Sequence, residues 1–271
     1  MICDWSPLLC SELLSAERRS NMREILVFVL LVIVWQLTVW LGNIHPVLFP
    51  GPTAVATAAW KLRVDLLEAT FRTALAAFTG LSISVILGTL SAFVFSQSTL
   101  IRRALYPYAV LLQTIPIIAI APIVIVSFGR GFFSIALVSS VISLFPIITN
   151  TTTGLLQIDP NLLDLFRLNG ATRLQTLLKL RVPCSLPFLF SGIRIASGSA
   201  IVGAIVGEFF VGSGQPGLGA MIQRKSASLD MAELYATVFT STALGTLAFA
   251  AVSLLGESLL RRRFGMSLGG R

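Results

Sequence analysis

Gly212-x-Gly214-x-x-Gly217 has the spacing of a dinucleotide-binding fingerprint, whose glycines let a backbone turn approach a pyrophosphate. That chemistry needs a β-strand before the glycines and a helix after them. Here the triplet follows a long apolar run, so it reads as a turn leading into a short re-entrant or surface helix. No G-x-x-x-x-G-K-[ST] segment occurs, so the chain cannot cradle ATP phosphates through a P-loop, and any ATP chemistry belongs to a partner. His45 is the only histidine, which leaves no His-rich metal site and no Ser–His dyad. Cys3, Cys10 and Cys184 lack metal-ligand spacing and read as free thiols. Two charges stand out inside the fifth apolar run, Arg194 and Glu208. A charged group at that depth is a functional candidate by default. Arg194 would either attract an anionic solute or snorkel to the headgroups. Glu208 would sit at an interface or pair with an outer basic residue. No apolar run pairs two acids, so an intramembrane hydrolase has no support.

These residues are carried by a chain of 271 residues that is 55% hydrophobic and only 12% charged, with a mean hydropathy of +0.87. Globular proteins carry about 25% charged residues, so lipid must be the main solvent of this one. The net charge of +8 comes in small groups between apolar runs rather than as one basic face, which argues against nucleic acid. Spans of about 20 apolar residues cross a bilayer. The sequence predicts an all-α polytopic membrane protein with six of them: 25–42, 73–96, 104–128, 132–156, 186–210 and 234–260. The first reads as an uncleaved anchor, because no small-residue cleavage site follows it. Residues 1–21 read as an extension, with Met22-Arg23 as an ordinary start. The domain layout is then a tail over 1–24, one transmembrane domain over 25–265 and a second tail over 266–271.

Pro107, Pro116, Pro122 and Pro146 mark the third and fourth spans for kinks. The fifth span is rich in small residues, and Gly203 and Gly207 share one face, a pattern that lets helix backbones approach closely. An even number of spans puts both termini on one side. Lys61, Arg63, Arg72, Arg130, Arg224 and Lys225 fall on the opposite side and Arg194 within a span, leaving the majority of the 20 lysines and arginines with the termini. The positive-inside bias therefore places both termini in the cytoplasm.

The most informative stretch is the cytoplasmic loop 159–183. Asp159-Pro160 is an N-cap followed by proline at the first helical position. Leu162, Leu163, Leu165 and Phe166 then give an apolar side, and Asn169-Gly170 a stop. Thr172 and Gln175 form a capping-box pattern for a second helix bearing Leu174, Leu177 and Leu178. Pro183 should close the segment. This helix–glycine–helix is equally consistent with lying on anionic headgroups and with docking a protein.

The loop resembles the cytoplasmic signature of binding-protein-dependent ABC importer permeases: an acidic-small-small triplet, three residues, glycine, nine residues, then Ile-x-Leu-Pro. Asp164-Leu165-Phe166 stands at the triplet, Gly170 at the glycine and Leu180-Arg181-Val182-Pro183 at the end, with both spacings kept. The residues depart from the pattern as Asp for Glu, Leu-Phe for Ala-Ala, and Leu and Val for Ile and Leu. Gln113-Thr114-Ile115-Pro116, Ala121-Pro122, Phe145-Pro146 through Thr151, Gly207-Glu208-Phe209-Phe210 and Gly217-Leu218-Gly219 look like the nitrate/sulfonate/taurine branch. The similarity extends over roughly residues 25–265.

What the resemblance implies is a non-catalytic permease subunit of the bacterial inner membrane. Cytoplasmic ABC ATPases would dock on Asp164, Leu165, Phe166, Gly170, Ala171, Leu180 and Pro183. An extracytoplasmic binding protein would deliver a small solute, nitrate-, sulfonate- or taurine-like or vitamin-precursor-like. Two permease copies, embedded in membrane lipid, would form the pathway, with Gln113, Thr114, Asn150, Arg194, Ser197 and Ser199 as polar lining candidates. The chain itself would bind no cofactor, while ATP and Mg²⁺ would be used by the ATPase. The rival class is an ion-coupled secondary transporter or channel without an ATPase. That class usually shows midplane ionisable groups and an internal inverted repeat, and here only Arg194 offers itself.

Overall fold

The computed structural model describes residues 23, 26–45, 47–211 and 217–264. The segment 1–21 and the terminal tail 266–271 fall outside the described residues, as does most of the Gly212–Gly217 turn. Among the described residues the chain is all helical. Its helices are α1 (Leu26–Leu41), α2 (Pro52–Lys61), α3 (Arg63–Gln97), α4 (Thr99–Thr114), α5 (Ile117–Phe128), α6 (Phe132–Leu156), α7 (Pro160–Leu168), α8 (Arg173–Thr176), α9 (Val182–Val211), α10 (Leu218–Ala227) and α11 (Met231–Phe264). A π-helical turn, Leu177–Arg181, joins α8 to α9 without a break.

Among the described residues, four helical segments are long and apolar enough to cross a membrane: α3, α6, the continuous run from α8 through α9, and α11. Helices α1 and α5 are apolar but shorter. The expected single helix over 104–128 is in fact two. Pro116 has no N–H to continue the helical ladder, and the residue before a proline is driven out of the helical region. Ile115 accordingly sits at φ −70°, ψ 125°, where α4 ends. Pro107, Pro122, Pro146 and Pro187, by contrast, are carried inside helices.

The centre of the bundle is α3, α6 and α9, fitted together by small residues. Lipid gives helices no hydrophobic drive to associate, so close backbone approach must supply the packing. Gly203 lies so near α6 that a Cβ there would come within 2.7 Å of the Ser139 Cα, and one at Gly207 within 3.2 Å of the Ile135 Cα. On the α3 side, a Cβ at Gly88 would meet Ile147 at 2.8 Å. Serine hydroxyls cross the same seams: Ser139 Oγ donates to the Ala200 carbonyl at 2.8 Å and Ser84 Oγ to the Ser140 carbonyl at 2.7 Å. Each buried hydroxyl thereby meets a partner that lipid could not provide.

Helices α1 and α11 lie at the periphery. Trp35 of α1 stands 5.9 Å from Phe239 and 6.3 Å from Tyr235 of α11, and 5.8 Å from Phe49 (ring centroids), so an aromatic cluster fastens the first helix to the last. Outward-facing side chains are apolar: Leu26, Phe28, Phe78, Val126 and Leu254 are all largely exposed. A surface of this kind would aggregate in water and is what acyl chains cover.

Candidate functional site

The 159–183 loop folds as its local chemistry dictates. Asp159 accepts from the Asn161 N–H at 2.9 Å, and Pro160 opens α7. The helix ends at Asn169, and Gly170 turns the chain at φ +68°, a left-handed conformation open to glycine at little cost. The Ala171 N–H returns to the Phe166 carbonyl at 3.0 Å. Thr172 and Gln175 then form a reciprocal capping box, with bonds of 2.9 and 3.2 Å.

The expected stop at Pro183 does not occur. The chain passes from α8 through the π-helical turn into α9, so Pro183 lies in the second position of a long helix. A proline ring clashes with the carbonyl four residues back. The wider π turn just before it relaxes that crowding and lets the helix continue.

The matched positions divide into two groups. Asp164 and Leu165 are exposed on α7, with Asp164 in a surface ion pair to Arg167 at 3.2 Å. Phe166 and Ala171 are half-buried, and Gly170 stands open, with nothing within 4 Å of an added Cβ. Leu180 is buried at the base and Pro183 half-buried, so these two anchor the loop to α9 rather than present a surface. No residue of α7 is buried. Leu165 (53% exposed), Leu168 (86%), Leu174 (63%) and Leu178 (58%) are apolar side chains of the loop that the chain leaves uncovered.

Behind the loop is a cavity of about 460 Å³ lined by Arg167, Arg173 and Arg181 together with Ser96 and Gln97 from the end of α3. Arg181 donates to the Ser96 carbonyl at 3.4 Å. The sequence pattern gave no hint that α3 would form this floor, since Ser96 and Arg181 lie 85 residues apart.

The six pathway candidates are not brought into one cluster. Gln113 and Thr114 are exposed where α4 breaks from α5. Asn150 bonds the Pro146 carbonyl of its own helix at 2.8 Å and lies against Gly192. Ser197 is buried and donates to the Arg194 carbonyl at 2.7 Å, and Ser199 to the Ile195 carbonyl at 3.4 Å. The Arg194 guanidinium lies 5.4 Å over the Phe249 ring of α11, a cation–π contact. Glu208 pairs with no basic residue among the described ones. Only 2% exposed, it accepts from Thr73 Oγ1 and from the Gly219 N–H, both at 2.9 Å.

A helical membrane bundle that keeps its small-residue seams inside, and presents one exposed helix–glycine–helix loop built into a spanning helix, is a permease subunit in form. The family model for the binding-protein-dependent transport system inner membrane component matches residues 84–264, and the chain belongs to that family. It is 35% identical over 240 residues to the formylaminopyrimidine transport permease protein ThiX of Halalkalibacterium halodurans, covering 87% of this chain and 93% of that protein. It is 26% identical to the putative aliphatic sulfonates transport permease protein SsuC of Bacillus subtilis, covering 91% and 90%. The inward-facing MetNI methionine ABC transporter shares the fold, with a TM-score of 0.59 at 17% identity over 74% of this chain and 97% of that one. The protein is thus a non-catalytic inner-membrane subunit of an ATP-driven importer, with the ATPase and the binding protein in separate chains. Family membership sets aside a transporter that works without an ATPase.

Proposed function

We propose that the 159–183 loop is the cytoplasmic docking element for the ATPase and the lever through which ATP binding moves the pathway. The observation that carries this is the set of uncovered leucines, Leu165, Leu168, Leu174 and Leu178, on a loop whose two helices are individually capped. Because the loop continues through Leu177–Arg181 into α9, a displacement of the loop is a displacement of α9. The tight seams with α6 and α3 pass it on. The triplet residues Asp164, Leu165 and Phe166, with Gly170 and Ala171, make the contact. Leu180 and Pro183 hold the lever to its helix.

In this account α4 and α5 together make one broken span, giving six crossings with α1, α3, α6, α9 and α11 and both termini in the cytoplasm. Two copies of the chain enclose the pathway, and Gln113, Thr114, Asn150, Arg194, Ser197 and Ser199 offer it polar groups. The chain holds no cofactor of its own, and ATP and Mg²⁺ act in the ATPase. The cargo is a small solute. The named relatives support a vitamin-precursor-like or sulfonate-like molecule, received from the extracytoplasmic binding protein.

Gly170→Trp tests the dock. A Cβ added there has nothing of the chain within 4 Å, so the bulk should project outward toward the partner, and the strain of a left-handed backbone is what the next variant controls for. The variant should insert normally but fail to co-purify with the ATPase. Gly170→Asn, which tolerates a left-handed backbone, should retain binding. Undiminished ATPase binding by Gly170→Trp would remove the assignment.

A further inference from the structure

Beside the loop, and separate from its uncovered leucines, a second cavity of about 360 Å³ opens where the start of α4 meets the end of α6. Its lining is Arg102, Arg103, Tyr106 and Pro107 from α4, and Thr152, Thr153 and Leu156 from α6. Neither arginine is in an ion pair among the described residues, and no carboxylate lines the cavity. Two adjacent cations with no counter-charge leave a standing demand for an anion. The second observation is independent of the charge. Thr152 is 3% exposed, and its Oγ1 has no hydrogen-bond partner. A buried hydroxyl without a partner is costly, and an oxygen-rich anion in the cavity would give it one. Thr153, by contrast, is already satisfied by the Thr149 carbonyl at 2.8 Å.

The walls identify the kind of anion. Pro107 and Leu156 are apolar, and the neighbouring α4 side chains Leu105 (48% exposed) and Tyr108 (66%) extend an apolar surface away from the arginines. Tyr106 is fixed edge-on against Phe95 at 6.3 Å, which gives the cavity a firm side. A small soluble anion would use the charged floor and gain nothing from these walls. An amphiphile would use both, and basic pockets between transmembrane helices are suited to phospholipid headgroups. We infer that this cavity binds the phosphate headgroup of an anionic phospholipid, with Arg102 and Arg103 on its charge, the Thr152 hydroxyl on a phosphate oxygen and the acyl chains running along α4. The lipid would brace the start of α4 against the end of α6, at the opposite end of α4 from the break at Pro116.

The test uses the permease assembled with its ATPase subunits, purified in detergent and titrated with short-chain phosphatidylglycerol or phosphatidylcholine. Bound lipid is counted by native mass spectrometry. The assembled wild type should bind phosphatidylglycerol roughly thirtyfold more tightly than phosphatidylcholine, at about 1 kcal/mol for each of the two arginines. Arg102→Gln with Arg103→Gln should abolish the preference, and the paired lysine substitutions should keep most of it. Thr152→Val, which preserves shape, should weaken both lipids alike, since both offer the same phosphate oxygens, and leave the preference to the arginines. Arg130→Gln, in the turn between α5 and α6, should change nothing. The inference is overturned if the wild type shows no preference or if the preference survives the double glutamine variant. It is equally overturned if inorganic phosphate saturates the site as well as lipid does. It also fails if lipid binds the free permease but is excluded from the assembled complex, for the arginines would then face a protein.

Discussion

Thr73 and Glu208 lie 135 residues apart, yet the Thr73 hydroxyl stands 2.9 Å from both oxygens of the Glu208 carboxyl group. The same hydroxyl accepts the N–H of Leu218 at 2.9 Å, and the carboxyl accepts that of Gly219 at 2.9 Å. One threonine and one glutamate thus satisfy the first two N–H groups of α10 and tie that helix to α3 and α9 at once. The glycines make room for it, since a Cβ at Gly217 would run into the carboxyl group itself. Leu66 and Ala69 of α3 and Leu218 and Met221 of α10 form a buried apolar cluster that joins the same two helices.

Thr73→Val should therefore cost far more than a surface threonine would. It strands the Leu218 N–H and removes a donor from Glu208, a loss of about 1–3 kcal/mol. Thr73→Ser should recover most of it. Thermal unfolding of the purified permease in detergent measures both, and a Thr73→Val variant as stable as wild type would show that the bonds carry no weight.

The α6–α9 seam predicts opposite outcomes for two glycines five residues apart. Gly203→Ala drives a methyl group against the Ser139 backbone and should destabilise by about 1–3 kcal/mol as overpacking does. Gly198 has nothing within 4 Å of an added Cβ. Gly198→Ala should be neutral, or stabilising by about 0.5 kcal/mol through helix propensity. The resistance of each variant to unfolding in mixed detergent checks the contrast.

How much of this was legible in the sequence follows from the range of each interaction. Asp159-Pro160 and the Thr172/Gln175 box act within three residues, so the loop could be read from spacing alone, and it folds that way. Gly203 and Gly207 announced a close approach, although only the fold shows that Ser139 and Ile135 are what they approach. Two prolines act against their sequence reading in opposite directions. Pro183 reads as a stop, but a π turn absorbs it. Pro116 reads as a kink, but it ends the helix outright. A proline's effect depends on whether its neighbours can reroute the freed carbonyls, which composition does not reveal. The Thr73–Glu208 knot has no local signature at all. Glu208 can be singled out as an acid in an apolar run, but the sequence reading places it at an interface or beside a basic residue, and a distant hydroxyl holds it instead.

The exposed tip of the loop offers the most direct measurement of the central claim. In a background with Cys3, Cys10 and Cys184 replaced, Leu168→Cys places a thiol on the 86% exposed residue that ends α7. Leu229→Cys places one in the turn between α10 and α11 as a control. In the complex with its ATPase, a short bifunctional thiol reagent should join position 168, and not 229, to an ATPase subunit. The loop thiol should also be shielded from maleimide only when that subunit is present. A position-168 thiol that never reaches the ATPase, and labels equally fast in the free permease and in the complex, would contradict docking at this loop.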